Sequence, residues 1–246
     1  MGVGEGSDPE RELTAGRLAA RSIERAVWLA RAGEVDAVVT APVHKAALHR
    51  AGYRYPGVTE FLGALAGGTE TVMMLVTGVL RVALVTTHLP LREALGRITT
   101  ERVVHVGSVV RAALVERFGI AEPRLALCAL NPHAGEGGLF GDEERSIIGP
   151  AISDAQRSGV AAEGPFGADT LFLRKDYDAF VVMVHDQGHI MAKTHAEAGA
   201  AALTIGTPVL FSSVAHGSAL DIAGKNRADP GAMIAAIRRV AGAATV

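Results

Sequence analysis

The chain has 246 residues, of which 49% are hydrophobic, and this is enough to bury a substantial core. Its formal net charge of −2, with acids and bases interspersed, excludes the basic stripe of a nucleic-acid binder and the polybasic patch of a membrane-surface protein. A single cysteine, Cys128, excludes an internal disulfide, and no apolar run approaches the roughly 20 residues of a spanning helix, so a cytoplasmic protein is expected.

The first part of the chain alternates helical and strand patterns. Apolar residues at helical spacing predict an amphipathic helix over residues 10–31, and a β-branched run at 35–42 predicts a buried strand that leads into a loop. Two further strand patterns, at 72–76 and 80–85, are joined by a tight turn that contains Gly78. A turn of this length joins antiparallel strands, so the sheet is predicted to be mixed.

The second part continues the same alternation. Its predicted elements are helices over residues 99–118 and 142–157, strands over 125–130 and 179–184, shorter strands near Leu203 and Val209, and a final helix that Asp229 caps and Pro230 opens. The run at 179–184 is apolar on both faces, which is typical of a central strand covered by helices on each side. The sequence therefore predicts an α/β fold, a mixed sheet with helices on both faces, built as one large domain or two lobes that share a cleft.

Three histidines, His88, His133 and His185, each follow an apolar strand. Ligands of open α/β sheets collect beyond the carboxyl ends of the strands, so the three imidazoles could converge on one metal ion. Neutral imidazoles suit zinc, cobalt, nickel or iron and leave a position for a substrate oxygen. Strand-end histidines can also simply bond backbone carbonyls. The polar and glycine-rich stretches at 88–92, 131–138 and 185–189, interpreted as loops, favour the ligand site.

The same stretches carry a resemblance to a known family. Together with Thr-Ala-Pro at 40–42, Gly-Pro at 164–165, Ala-Asp-Thr at 168–170 and His-Gly-Ser-Ala at 216–219, they resemble the 4-hydroxythreonine-4-phosphate dehydrogenase family of pyridoxal phosphate biosynthesis. The resemblance runs from about Gly33 to the end of the chain. It implies one catalytic unit over residues 1–246, with the two-lobed fold of isocitrate and isopropylmalate dehydrogenases, and a homodimer whose metal site takes ligands from both subunits.

The resemblance also implies an activity: oxidation of a secondary alcohol of a small hydroxy acid by NAD or NADP, with decarboxylation when a carboxylate lies β to the new ketone. His88, His133 and His185 match the family's metal ligands, with zinc expected and cobalt, nickel, manganese or magnesium as alternatives. Asp169 and Asp186 match acids near the metal, which either act on the substrate or orient the histidines.

The remaining expected site residues contact the substrate and the cofactor. Thr59 and Lys193 match substrate contacts, and Lys193 is also a candidate catalytic residue. The family uses no G-x-G-x-x-G fingerprint, and none is present here. The dinucleotide is instead expected along the segment that contains His216, Asp221, Gly224, Asn226 and Asp229. The alternative for this segment is a turn before the last helix.

Three positions depart from the family pattern. Ala202 and Phe211 stand where the biosynthetic enzyme has its phosphate-anchoring asparagine and arginine, and Val58 replaces a histidine that precedes the substrate threonine. Charged hydrogen bonds are worth roughly 1.5–3 kcal/mol each, so a phosphorylated substrate would lose much of its anchoring. An alternative substrate is therefore a non-phosphorylated dihydrodiol carboxylate of aromatic catabolism, as in the branch that acts in terephthalate breakdown.

A fourth departure concerns the start of the chain. The family begins with a strand and a Gly-Asp-Pro-x-Gly-Ile-Gly-Pro-Glu loop, and nothing like it precedes Gly33. The first strand-helix units are thus expected to be missing, through a late start assignment, a truncation or a shortened paralogue. A metal- or ligand-binding paralogue with little turnover is one alternative. A zinc hydrolase, with Glu136 or Asp186 as general base, is another.

Overall fold

Strands and helices alternate along the chain, as the sequence predicts. The computed structural model describes residues 8–55, 57–67, 71–195, 201–214 and 216–242. Its strands are β1 (Ala37–Thr40), β2 (Val72–Thr77), β3 (Leu80–Leu84), β4 (Arg124–Cys128), β5 (Ala161–Phe166), β6 (Ala179–Val182), β7 (Ala201–Ile205) and β8 (Leu210–Val214). Its helices are α1 (Pro9–Arg31), α2 (Lys45–Arg50), α3 (Val58–Ala66), α4 (Leu91–Leu95), α5 (Thr100–Phe118), α6 (Gly149–Arg157), α7 (Ala168–Leu171), α8 (His185–Thr194) and α9 (Gly231–Val240).

The strands form one sheet in the order β1-β8-β7-β2-β3-β6-β4-β5. Strands β3, β6, β4 and β5 are parallel neighbours, whereas β2 pairs antiparallel with both β3 and β7. The predicted hairpin and the mixed α/β sheet are confirmed. The division into two lobes stays a prediction, because the described strands share a single sheet.

Helices cover both faces of this sheet. Val181 packs in a cluster with α5 and α6, and the next residue, Val182, packs in the opposite cluster with Ala192 of α8. This confirms β6 as a central strand that is apolar on both faces. A third cluster joins α1 and α3 to β1 and β8, and in it Phe211 is completely buried.

The helices nearest the predicted loops differ from expectation. Residues 185–189, predicted to be a loop, begin helix α8 instead. The Gln187 side chain stabilises this start, because its carbonyl oxygen accepts the N–H groups of Met183 and Val184 at 3.0 and 3.2 Å. Its amide also donates to the Ala129 carbonyl at 3.0 Å and so ties the end of β6 to the end of β4.

Two predicted helix boundaries also move. The helix expected over 142–157 consists of a π-helical turn, Glu144–Ile148, followed by α6. The final helix begins at Gly231 rather than at Pro230, because the Asp229 carboxylate accepts the Gly231 N–H at 2.8 Å. None of the helices in the described part of the chain is long and apolar enough to cross a membrane.

Substitution of two helical glycines, Gly16 and Gly107, is expected to change the stability of the protein in opposite directions. A Cβ at Gly16 of α1 would lie 2.0 Å from the Ala47 carbonyl oxygen of α2, so Gly16→Ala should destabilise the protein by about 1–3 kcal/mol. A Cβ at Gly107 of α5 would meet nothing within 4 Å, so Gly107→Ala should stabilise it by about 0.5–1 kcal/mol. Urea unfolding measures both changes, and a Gly16→Ala protein as stable as wild type would contradict the close contact of α1 with α2.

Candidate functional site

The pairing of β3 with β6 places two of the three predicted histidines side by side. Beyond the ends of both strands the pairing continues, because Thr86 donates its N–H and its hydroxyl to the Met183 carbonyl, at 3.2 and 2.8 Å. His88 and His185 each follow two residues later. Their ring centroids are 5.7 Å apart, and both rings line a cavity of about 360 Å³.

In each of these two imidazoles, the ring nitrogen Nδ1 lies within hydrogen-bond distance of a carboxylate. Nδ1 of His88 lies 3.2 Å from Glu60 Oε1, and Nδ1 of His185 lies 2.6 Å from Asp186 Oδ1. Carboxylates in this position fix the ring orientation and tautomer of metal-binding histidines. Nε2 of either ring has no hydrogen-bond partner among the described residues, and both side chains are about one third exposed, 31% and 33%.

The two carboxylates are held in their ionised form. Burial raises the pKa of Glu60, but the hydrogen bond with His88 and further local contacts outweigh it, so the pKa lies below its ordinary value. The hydrogen bond with His185 lowers the pKa of Asp186. Both groups are therefore suited to orient an imidazole and poorly suited to accept a proton.

The third predicted ligand, His133, lies on an unusual turn after β4. Every residue from 133 to 138 has a positive φ, and three of them, His133, Ala134 and Glu136, are not glycine. The left-handed region costs a non-glycine residue about 1–2 kcal/mol, so neighbouring contacts must hold this turn.

Glu144 supplies such contacts. Glu144 is only 8% exposed, and its carboxylate accepts the N–H groups of Leu130 and Asn131 at 2.8 and 2.7 Å and the Asn131 side-chain amide at 2.9 Å. The Asn131 amide also donates to Glu143 at 2.7 Å. Residues 130 and 131, which lead into the turn of His133, are thereby fixed against the π-helical turn.

The three predicted metal ligands are not all in one place. The ring of His133 packs near Phe140, with 6.3 Å between centroids. In the part of the chain that the structure describes, no three or more His, Cys, Asp or Glu side chains are arranged to hold a metal ion. The site built by this chain alone is thus a pair, His88 and His185, and the metal triad stays a prediction.

The predicted acids and substrate contacts lie on helices α3, α7 and α8. Asp169 is exposed on α7, which packs against the turn of His133. Lys193 is exposed on α8, and its charge lowers the pKa of both Asp186 and His189, so it lies near them. Thr59 is buried in the first turn of α3, next to Glu60.

The predicted cofactor segment is exposed and built of turns. His216, Asp221, Gly224, Asn226 and Asp229 are all exposed, and φ is positive at Gly224 and Asn226. The Asp229 carboxylate is engaged at the start of α9. Its cofactor role stays a prediction.

Sequence reasoning missed the roles of two neighbours, Glu60 and His189. The His189 ring stacks on His185 at 3.9 Å and 15°, and both its nitrogens are buried without a hydrogen-bond partner among the described residues. Burial, with the nearby charges of His185 and Lys193, lowers the pKa of His189 to about 4. The His189 ring therefore packs against His185 as a neutral group. The four-residue spacing on a helix is the signal that could have found it.

Glu144 is expected to control both stability and its pH dependence. Glu144→Gln places an amide N–H₂ against donors, so it should lower the free energy of unfolding by about 1.5–3 kcal/mol. Glu136→Gln, at an exposed position of the turn of His133, is the matched control and should change the free energy of unfolding by less than about 0.5 kcal/mol.

The pH dependence follows from the pKa of Glu144. Burial raises it, but the hydrogen bonds from Asn131 and Leu130 outweigh burial, so the folded pKa lies below the ordinary value of 4.5. The stabilisation is thus complete above the unfolded pKa and is lost as pH falls through the folded pKa. Denaturation measured from neutral to acidic pH should converge for wild type and Glu144→Gln at low pH. Parallel profiles would contradict this role.

Comparison with known proteins gives a family and several dehydrogenases. The family model described as "Pyridoxal phosphate biosynthetic protein PdxA" matches residues 9–240. D-threonate 4-phosphate dehydrogenase from Cupriavidus necator is 46% identical over 239 residues, which cover 94% of this chain and 70% of that protein. The chain spans between 63% and 71% of the length of the curated relatives compared.

Two solved structures are also similar to this chain. A crystal structure of 4-hydroxythreonine-4-phosphate dehydrogenase from Klebsiella pneumoniae has a TM-score of 0.87 and 42% identity, covering 95% of this chain and 72% of that one. A terephthalate 1,2-cis-dihydrodiol dehydrogenase from Burkholderia xenovorans LB400 has a TM-score of 0.71 and 40% identity, with coverages of 92% and 72%. These similar proteins are all named dehydrogenases, and their names give three different substrates.

Proposed function

This chain belongs to the PdxA family of pyridoxal phosphate biosynthetic proteins, and on that premise we propose that it is a dehydrogenase dependent on NAD and a divalent metal. Its substrate is a small hydroxy acid, oxidised at a secondary alcohol, with decarboxylation when a carboxylate lies β to the ketone. One observation carries this proposal: two imidazoles at adjacent strand ends, each backed by a carboxylate at Nδ1.

The donor set fits a divalent metal. Nε2 of His88 and Nε2 of His185 have no partner in the part of the chain that the structure describes, and Glu60 and Asp186 orient the two rings through Nδ1. Zinc is the first candidate because imidazole suits it, and cobalt, nickel, manganese or magnesium remain alternatives. When bound, such a cation supplies Lewis acidity that lowers the pKa of a substrate hydroxyl, while NAD accepts the hydride.

We assign the other predicted site residues to proton transfer, substrate binding and NAD binding. Asp186 is committed to His185, so the exposed Asp169 on α7 is the acid that we assign to accept the hydroxyl proton. Lys193 lies one turn after His189 on the same face of α8, where its ammonium group would bind the substrate carboxylate. Thr59 would position the substrate from α3. The turns at 216–229 would bind NAD through their exposed backbone N–H groups.

A homodimer would complete the metal site. His133 is separate from His88 and His185 in one subunit, so we propose that the third imidazole comes from the partner subunit. Exposed apolar side chains support an interface here, since Leu91 follows His88 and Leu139 and Phe140 follow His133, with exposures of 64%, 71% and 47%. Sedimentation of the purified protein should give a dimer, and a monomer at all micromolar concentrations would contradict this part.

Two residues of the sheet, Ala202 on β7 and Phe211 on β8, make the phosphorylated substrate of the biosynthetic relatives unfavourable for this chain. Ala202 and Phe211, at the expected phosphate-anchor positions, are 8% and 0% exposed, and neither side chain can bind phosphate. We therefore propose a non-phosphorylated hydroxy acid, of which a dihydrodiol carboxylate is the leading example. The name of the Burkholderia xenovorans structure supports this choice.

Steady-state NAD reduction tests the activity and the substrate together. Metal-loaded wild type should produce NADH from unphosphorylated diol acids, and His88→Ala should lower kcat/KM by about 100-fold or more, because a metal ligand is lost. His49→Ala, at an exposed position of α2, is the control and should match wild type.

Two results would contradict the proposal. Equal rates in wild type and His88→Ala would remove the metal from the mechanism. A clear preference for 4-phosphohydroxythreonine over diol acids would overturn the substrate class and leave the metal site intact.

A further inference from the structure

A second cavity, of about 820 Å³, lies between α5, α9 and the hairpin of β2 and β3. It shares no lining residue with the cavity beside His88 and His185. Its volume falls in the range of small-molecule sites, roughly 300–1,000 Å³. Its apolar walls include Val79, Phe118 and Leu210.

Two half-buried arginines, Arg81 and Arg239, face this cavity without full partners. In both, Nε is buried and has no hydrogen-bond partner among the described residues. Another guanidinium nitrogen of Arg81 donates to the carbonyls of Val79 and Asp178, at 3.2 and 3.3 Å. Arg239 makes no hydrogen bond through its side chain within the described part of the chain.

The two guanidinium groups are also close enough to repel each other. Burial lowers the pKa of each, and the charge of Arg81 lowers that of Arg239 further. Asp36 and Glu116 line the cavity, and Asp178 attracts Arg81, but no carboxylate of the described residues lies within 4 Å of either guanidinium. Arginine stays charged under such conditions, so two partly desolvated like charges stand together without a counter-ion.

We propose that this cavity is a binding site for a phosphorylated small molecule with an apolar body. Arg81 and Arg239 bind the phosphate through their terminal guanidinium N–H groups, and the apolar part packs against Val79 and Leu210. A phosphate dianion matches the charge of two guanidinium groups and their forked geometry better than a carboxylate does. Arg117 and Arg238, also at the cavity wall, add to the positive field. This site stands independently of the dehydrogenase proposal.

Calorimetric titration with phenyl phosphate tests the site, using the full chain treated with a chelator so that no metal binds the probe. Wild type should bind phenyl phosphate saturably, and inorganic phosphate and benzoate more weakly. Arg239→Met keeps the apolar stem and should weaken binding by about tenfold or more, because a charge-assisted contact is lost. Arg97→Met is the control, since Arg97 is exposed and paired with Glu93, and it should bind like wild type.

Three results would overturn the proposal. These are no saturable binding of phenyl phosphate to wild type, equal affinity of wild type and Arg239→Met, or benzoate binding as tightly as phenyl phosphate. Arg81→Met is a second variant with the same expected loss. If Arg81→Met does not fold, Arg239→Met alone decides, because that substitution removes no hydrogen bond that the structure describes.

Discussion

The side-by-side packing of β3, β6 and β4 is the constraint on which the candidate site depends. These parallel strands are neighbours in the sheet, so the segments that leave their carboxyl ends begin at one edge. Both faces of the strands are buried, and a one-residue shift in register would move every side chain into the opposite cluster, where its packed neighbours do not match it. The register is therefore fixed, and with it the 5.7 Å separation of His88 from His185.

Three carboxylates hold the segments and rings of the site in place. Glu60 reaches His88 from α3, Asp186 lies behind His185, and Glu144 fixes the segment that leads to His133. Each carboxylate is kept ionised by hydrogen bonds that lower its pKa. Glu144 thus holds the segment before His133 in place, while Glu60 and Asp186 set the orientation of the other two imidazoles.

The sequence predicts the parts of this arrangement that depend on local periodicity. Helix α1, the β2–β3 hairpin and the central strand β6 follow from apolar spacing and a short turn. The sequence predicts a loop at the start of helix α8, because this segment contains Gly188 and the contact that stabilises the helix, from Gln187 to Ala129, spans 58 residues. The contact of Glu60 with His88 spans 28 residues, and the left-handed turn at His133 exists because Glu144 anchors its approach. Such long-range contacts leave no periodic signal in the sequence.

Anomalous diffraction from crystals grown with zinc tests the central claim most directly, namely that the histidines beyond β3 and β6 form one metal site. The account predicts a zinc peak about 2.0–2.1 Å from Nε2 of both His88 and His185. Zinc bound elsewhere, or His88 and His185 left without metal at saturating zinc, would contradict it.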